Sequence, residues 1–234
     1  IKVSINQFYG IEINDFACSV ALTALWIAEA QMMQETDEIV GFTLDPLPLK
    51  TYTNIHEGNA LRMDWNEVVP AAELDYIMGN PPFVGARFKS TEQGDDLVAV
   101  FGSQWKNIGN LDYVTGWYKK SWEMMKIHSS IRAAFVSTNS ITQGEQVPAL
   151  WKPLMESGVQ IDFAWRTFIW DSEAMQKAHV HCVIVGFSLC HSERKRRIFD
   201  GKDVIDASNI NGYLIDGDNV FIEARSHPIC AVPE

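Results

Sequence analysis

No two of the 15 glycines in this 234-residue chain stand two positions apart, so it holds no Gly-x-Gly pair and no ligand loop built on one. Its four cysteines, Cys18, Cys182, Cys190 and Cys230, include no Cys-x-x-Cys pair, and free thiols in a cytoplasmic protein are expected. No run of roughly 18 apolar residues occurs, and the stretch 19–33 ends too polar for a bilayer, so no membrane partner is expected. The opening residues carry neither an initiator Met nor a signal-peptide layout; they read as a strand entered halfway, in a piece of something longer. Positive charge is also short. Nineteen Lys and Arg against 30 Asp and Glu leave a net charge of −11, which excludes a nonspecific nucleic-acid coat. An enzyme whose basic grip on nucleic acid lies in another domain stays open. The local exceptions are Arg87, Lys89, Lys106, Lys119 and Lys120, and a run over 193–197 that reads as solvated.

What is present points to a globular α/β chain, with 47% hydrophobic and 21% charged residues. A strand is expected over 5–13, then a helix over 16–35 capped by Asp15, a loop over 40–50 and a short strand ending near Gly58. Next come a strand at 75–78, a long irregular segment over 84–110, and a helix over 111–127. The run "RAAFVST" reads as a strand buried on both faces, 145–157 as helical, and "VQIDFAWRTF" and "HVHCVIVGFSL" as two more strands. Such alternation implies a doubly wound, mostly parallel sheet. Residues 1–199 read as the core, and 200–234 as turns and short extended pieces that make a connector.

Ligands of open α/β sheets sit beyond the carboxyl ends of the strands. Three strands end in candidate groups. Glu12, with Ile13 beside it, stands where nucleotide-binding folds put an acid for ribose hydroxyls; a surface Glu is the plainer alternative. Gly58, Asn59 and Ala60 offer a polar side chain and a backbone amide to an adenine ring, or simply start a turn. Asn80-Pro81-Pro82-Phe83 is a stiff exit from a strand, because each proline fixes φ and lacks an N–H. It holds the Asn80 side chain and the Pro81 carbonyl in fixed directions. His179 and His181 share one face of a strand without further ligands in zinc spacing, and no metal is expected.

The order of these groups, with "FYGIEINDFACSVALTALWIAEAQM", "GNALRMDW" and "AFVSTNSITQGEQV", resembles the N6-adenine DNA methyltransferases of fused type II restriction–modification proteins. The resemblance covers roughly residues 5–190. It implies a Rossmann-like sheet of the class I methyltransferase type and S-adenosylmethionine as cofactor, held at Glu12, Ile13, Asn59 and Ala60. It also implies Asn80, Pro81, Pro82 and Phe83 as the catalytic tetrad for an adenine flipped out of double-stranded DNA. A nuclease upstream and a target-recognition domain downstream would be its neighbours in the chain. The family's glycine-rich loop should precede Glu12, so the resemblance implies N-terminal truncation and little or no cofactor binding or activity in the isolated piece. Phe168, Trp170 and residues 170–181 fall where the family lines the base pocket, or are core aromatics; Thr138 and Asn139 touch the target or cap a turn. Cytosine N4, an RNA base or a protein glutamine would present a similar amino group. A catalytically inactive bridge between domains is the non-enzymatic alternative.

Overall fold

Asn14, not Asp15, caps the first long helix: its side chain accepts the Ala17 N–H at 2.9 Å. In this computed structural model, which describes residues 3–41, 54–170, 180–189 and 195–223, the chain forms two units, 1–70 and 71–234. The first unit has strand β1 (Gly10–Glu12), helix α1 (Asp15–Val40), strand β2 (Ile55–Glu57) and a short helix α2 (Trp65–Val68). β1 is shorter than the strand expected over 5–13, because Ile5–Gln7 close into a 3-10 turn whose Gln7 side chain accepts the Ser4 N–H at 2.8 Å. β1 and β2 pair in parallel, with Gly10 opposite Ile55 and Glu12 opposite Glu57.

α1 runs five residues past the expected end at 35 and stops at Gly41, whose φ of 75° suits a left-handed cap. Its most apolar window has a mean hydropathy of 1.4, so by length and composition it would suit a bilayer, contrary to the sequence expectation. Core helices of soluble proteins meet the same criterion.

The second unit is a six-stranded sheet in the order β3-β4-β6-β5-β7-β8. These strands are β3 (Tyr76–Gly79), β4 (Arg132–Thr138), β5 (Gln160–Trp170), β6 (Val180–Ser188), β7 (Arg196–Asp200) and β8 (Asp203–Ala207). The expected mostly parallel arrangement does not hold among the described residues. β3–β4 and β5–β7 are parallel, whereas β4–β6, β5–β6 and β7–β8 are antiparallel, so the sheet is mixed. The physical reason is in the connections. No described helix separates β5 from β6 or β7 from β8, so these neighbours need no crossover. The last pair is a hairpin whose second strand, β8, is one of the short extended pieces expected after residue 199, and the expected core–connector boundary at 199/200 falls within β7.

Two further corrections concern local patterns. The segment 84–110 contains a helix, α3 (Thr91–Phe101), nucleated by a reciprocal cap: Gln93 N–H to Ser90 Oγ at 3.2 Å and Ser90 N–H to Gln93 Oε1 at 2.9 Å. β4 buries only alternate residues, Ala133, Phe135 and Ser137, rather than both faces. Helix α4 (Thr115–Ile127) packs on that buried face through Tyr118, whose ring stacks on Phe187 at 5.0 Å and whose hydroxyl hydrogen-bonds Ser137 Oγ at 2.9 Å. Burial pushes the Tyr118 phenol above its ordinary range. Val147–Trp151 form a π-helical turn that leads into α5 (Lys152–Glu156). β5 bulges between Ile161 and Phe163, and the Phe163 ring lies over Gly186 of β6, where a Cβ would stand 2.1 Å from the ring. Residues 42–50 of the expected loop, 171–179 of the 170–181 stretch, Cys190, residues 193–194 of the basic run and 224–234 lie outside the described residues.

Candidate functional site

In the first unit the ends of β1 and β2 bring two expected groups together. The Gly58 N–H donates to the Glu12 carbonyl at 2.8 Å, so the segment Gly58, Asn59, Ala60 runs beside Glu12. Glu12 is half-buried, and its carboxylate accepts the Asn14 N–H at 3.1 Å. Ile13 projects as apolar surface, 69% exposed. Asn59 starts a turn: its Oδ1 accepts the Leu61 N–H at 2.9 Å, and its carbonyl accepts from Arg62 and Met63. A Cβ at Gly58 would stand 2.6 Å from Met63 Sδ, so a side chain there would require Met63 to move. This edge is electronegative. Burial first, then the carboxylates of Glu57, Glu12 and Asp15, push the Cys18 thiol up, so Cys18 is a poor thiolate nucleophile.

In the second unit β3 ends at Gly79 and the tetrad follows. Asn80 and Pro82 are exposed, Pro81 is buried and Phe83 is half-buried. The Pro82 carbonyl accepts the Val84 N–H at 3.1 Å. Among the described residues no hydrogen bond reaches the Asn80 side chain or the Pro81 carbonyl. The chain beyond is tied down twice. Tyr113 N–H donates to the Val84 carbonyl at 2.9 Å, and Ala86 N–H donates to Asp112 Oδ1 at 2.7 Å. Arg87 and Phe88 then stand out into solvent, Phe88 being 85% exposed.

Asp112 carries no role in the sequence reading, yet it is the most connected acid here. Its carboxylate is buried and accepts from Ala86, from Gln146 Nε2 at 2.8 Å, from Thr138 Oγ1 at 2.6 Å and from Ser140 Oγ. Gln146 returns the contact by accepting the Asp112 N–H at 3.0 Å. The only signal for this in the sequence was an acid beside an aromatic, Tyr113, before a helix. Tyr113 itself donates its hydroxyl to buried Asp96 at 2.7 Å, fixing α3.

Thr138 thus spends its hydroxyl on Asp112, and the Asn139 carbonyl accepts from Thr142 Oγ1 at 2.7 Å. Of the basic residues over 84–120, Lys89 gives its ammonium to the carbonyls of Gly109 and Leu111, and Lys119 pairs with Glu123. Burial pulls the Lys89 ammonium down and the Asp112 charge opposes that. Arg87 and Lys106 stay exposed. Phe168 lies in β5 opposite Cys182 and His181 opposite Ile169; Trp170 ends β5, and His179 lies outside the described residues. No cluster of potential metal ligands occurs among the described residues.

The model of one family, described as the DNA-methyltransferase domain of MmeI, matches residues 1–200. DNA methyltransferase A of Bacillus subtilis (strain 168) is 41% identical over 236 residues, a match covering 100% of this chain and 27% of that protein. The Type IIL restriction-modification enzyme MmeI, solved in complex with DNA, is 43% identical with a TM-score of 0.92, over 100% of this chain and 32% of that one. A DrdV–DNA complex, 14% identical over 82% of this chain and 21% of its own, shares the fold alone at a TM-score of 0.51. The chain therefore spans about a third or less of the length of these relatives.

Proposed function

This chain belongs to the MmeI DNA-methyltransferase domain family, and from that premise we propose that it is part of a DNA methyltransferase that transfers a methyl group from S-adenosylmethionine to the N6 amino group of adenine in double-stranded DNA. A DNA methyltransferase of the restriction–modification kind is the coarser statement, and it follows from the family and its relatives. The finer reading rests on one observation: a strand-final Asn80-Pro81-Pro82-Phe83 turn with an unengaged side chain at Asn80 and an unengaged carbonyl at Pro81 among the described residues.

The amino nitrogen of adenine is conjugated with its ring and is a weak nucleophile. The Asn80 Oδ1 and the Pro81 carbonyl accept hydrogen bonds from its two N–H groups, pulling the nitrogen towards sp³ and aiming its lone pair, and the one proton it sheds on gaining the methyl passes to solvent. Orientation and placed dipoles then do the chemistry, without a strong base. Phe83 stacks on the base, which must leave the duplex to reach it, at roughly a few kcal/mol. S-adenosylmethionine, when bound, supplies an electrophilic methyl group. Glu12 suits its ribose hydroxyls as an acceptor, Ile13 gives its adenine ring an apolar surface, and Asn59 and Ala60 complete that edge. The reading also takes 1–199 as the catalytic core in a class I, Rossmann-like arrangement. Residues 200–234 then lead to a target-recognition domain, with a nuclease on the other side of the core, in a cytoplasmic protein.

Cytosine N4, RNA and protein glutamine share the amino-group chemistry; Phe at 83 and DNA-methyltransferase relatives favour adenine in DNA. The deciding experiment incubates the full-length protein with S-adenosylmethionine and mixed-sequence duplex DNA, then digests to nucleosides for mass spectrometry. N6-methyladenine is expected. N4-methylcytosine in its place, or no methylated base at all, would overturn the proposal.

A further inference from the structure

The donors converging on the Asp112 carboxylate come from three separate parts of the second unit: the loop after the tetrad (Ala86), the end of β4 (Thr138, Ser140) and the start of the π-helical turn (Gln146). We propose that Asp112 is a positioning residue of the methyl transfer, setting the tetrad loop against the end of β4. It governs capture of the target base rather than cofactor binding. This inference rests on the function proposed above.

The prolines stiffen only residues 80–82. Beyond Phe83 the direction of the loop depends on its far end, and both ties there come from consecutive residues, Asp112 and Tyr113. Tyr113 uses its backbone for Val84, a bond any residue other than proline could make. Asp112 uses its side chain, so that tie alone depends on residue identity. Each carboxylate oxygen takes two donors, Oδ1 from Ala86 and Gln146 and Oδ2 from Thr138 and Ser140. A buried carboxylate held by four hydrogen bonds has a fixed orientation, since turning it would break several bonds to a charged group together. Lys89 acts on the same segment: its ammonium, on the carbonyls of Gly109 and Leu111, closes the excursion that carries α3. Loop and β4 end are thus held in one frame.

The test uses the full-length protein and four forms: parent, Asp112→Ala, Asp112→Asn, and the pair Thr138→Val with Ser140→Ala. Base flipping is read by the fluorescence of 2-aminopurine at the target position, cofactor binding by titration of S-adenosylmethionine, and turnover by kcat and KM for DNA. Asp112→Ala should lower kcat/KM for DNA on the order of 10²-fold, as a misplacement of about 1 Å does, and weaken the flipping signal. Its Kd for S-adenosylmethionine should stay parental. Asp112→Asn should recover most of that loss, because its oxygen still accepts the Ala86 N–H and its amide can donate to the two hydroxyls. A merely structural role would lower cofactor binding and melting temperature together and show no such recovery. Where Asp112→Ala does not fold, the Thr138→Val, Ser140→Ala pair decides: reduced flipping at parental cofactor affinity supports the inference, and unchanged flipping overturns it. A parent that makes N6-methyladenine while Asp112→Ala matches it in flipping and kcat/KM overturns the role of Asp112 alone. A parent that makes none overturns the proposed reaction and this role with it.

Discussion

The Gly58 N–H donates to the carbonyl of Glu12 at 2.8 Å, carrying the contact between two parallel strands one residue beyond their last paired position. That bond holds the Glu12 backbone and the Asn59 turn on one sheet edge, where the proposed function puts the adenosine of the cofactor. Glu12→Ala in the full-length protein should therefore weaken S-adenosylmethionine binding by about 1.5–3 kcal/mol, roughly ten- to hundredfold in Kd. Calorimetric titration reads this directly. The fold should be little affected, since the only described bond of that carboxylate goes to the backbone N–H of Asn14, two residues on. An unchanged Kd would move the ribose site elsewhere.

Asn80 is exposed and bonds to nothing in the described residues through its side chain, so its removal should cost activity and not stability. Asn80→Ala is expected to slow methylation on the order of 10²-fold or more, as the loss of one preorganised polar group does. Single-turnover rates with saturating DNA and cofactor measure it, alongside a melting curve. Transfer at the parental rate would remove Asn80 from the mechanism.

For Phe83 the expected readout is binding. Phe83→Ala should weaken affinity for duplexes carrying a mismatched or extrahelical adenine by about 1–3 kcal/mol, the usual worth of a base stacked on an aromatic ring. Phe83→Tyr should bind and methylate much as the parent does. If Phe83→Ala binds such duplexes undiminished and melts lower, the half-buried ring belongs to the core instead.

The local pattern of the sequence carried much of this fold. "RAAFVST" names β4 residue for residue, and the two strands after it are in place. Their direction was not legible, because alternation of apolar residues is the same for a parallel and an antiparallel neighbour. α3 was missed for a different reason: its apolar residues, Leu97 to Phe101, are bunched at its C-terminal end instead of recurring at helical spacing, although Ser90 and Gln93 stand in capping-box spacing at its start. Asn80 through Phe83 could be singled out because prolines constrain the backbone whatever surrounds them. Asp112 could not, since its importance lies in Ala86, Thr138, Ser140 and Gln146, between 26 and 34 positions away along the chain.

Pro81 and Pro82 do more than stiffen a turn: neither can offer an N–H, so the two positions after Asn80 carry backbone acceptors alone. In the proposed reading, a base bearing a keto oxygen there would set its lone pairs against those of the Pro81 carbonyl and of Asn80 Oδ1. Deaminated adenine is such a base. Hypoxanthine at the target position should consequently be refused even when extrahelical, and competition of hypoxanthine-containing against adenine-containing duplexes would read that refusal as a loss of affinity. The turn would then act as a chemical filter, leaving deamination damage unmarked.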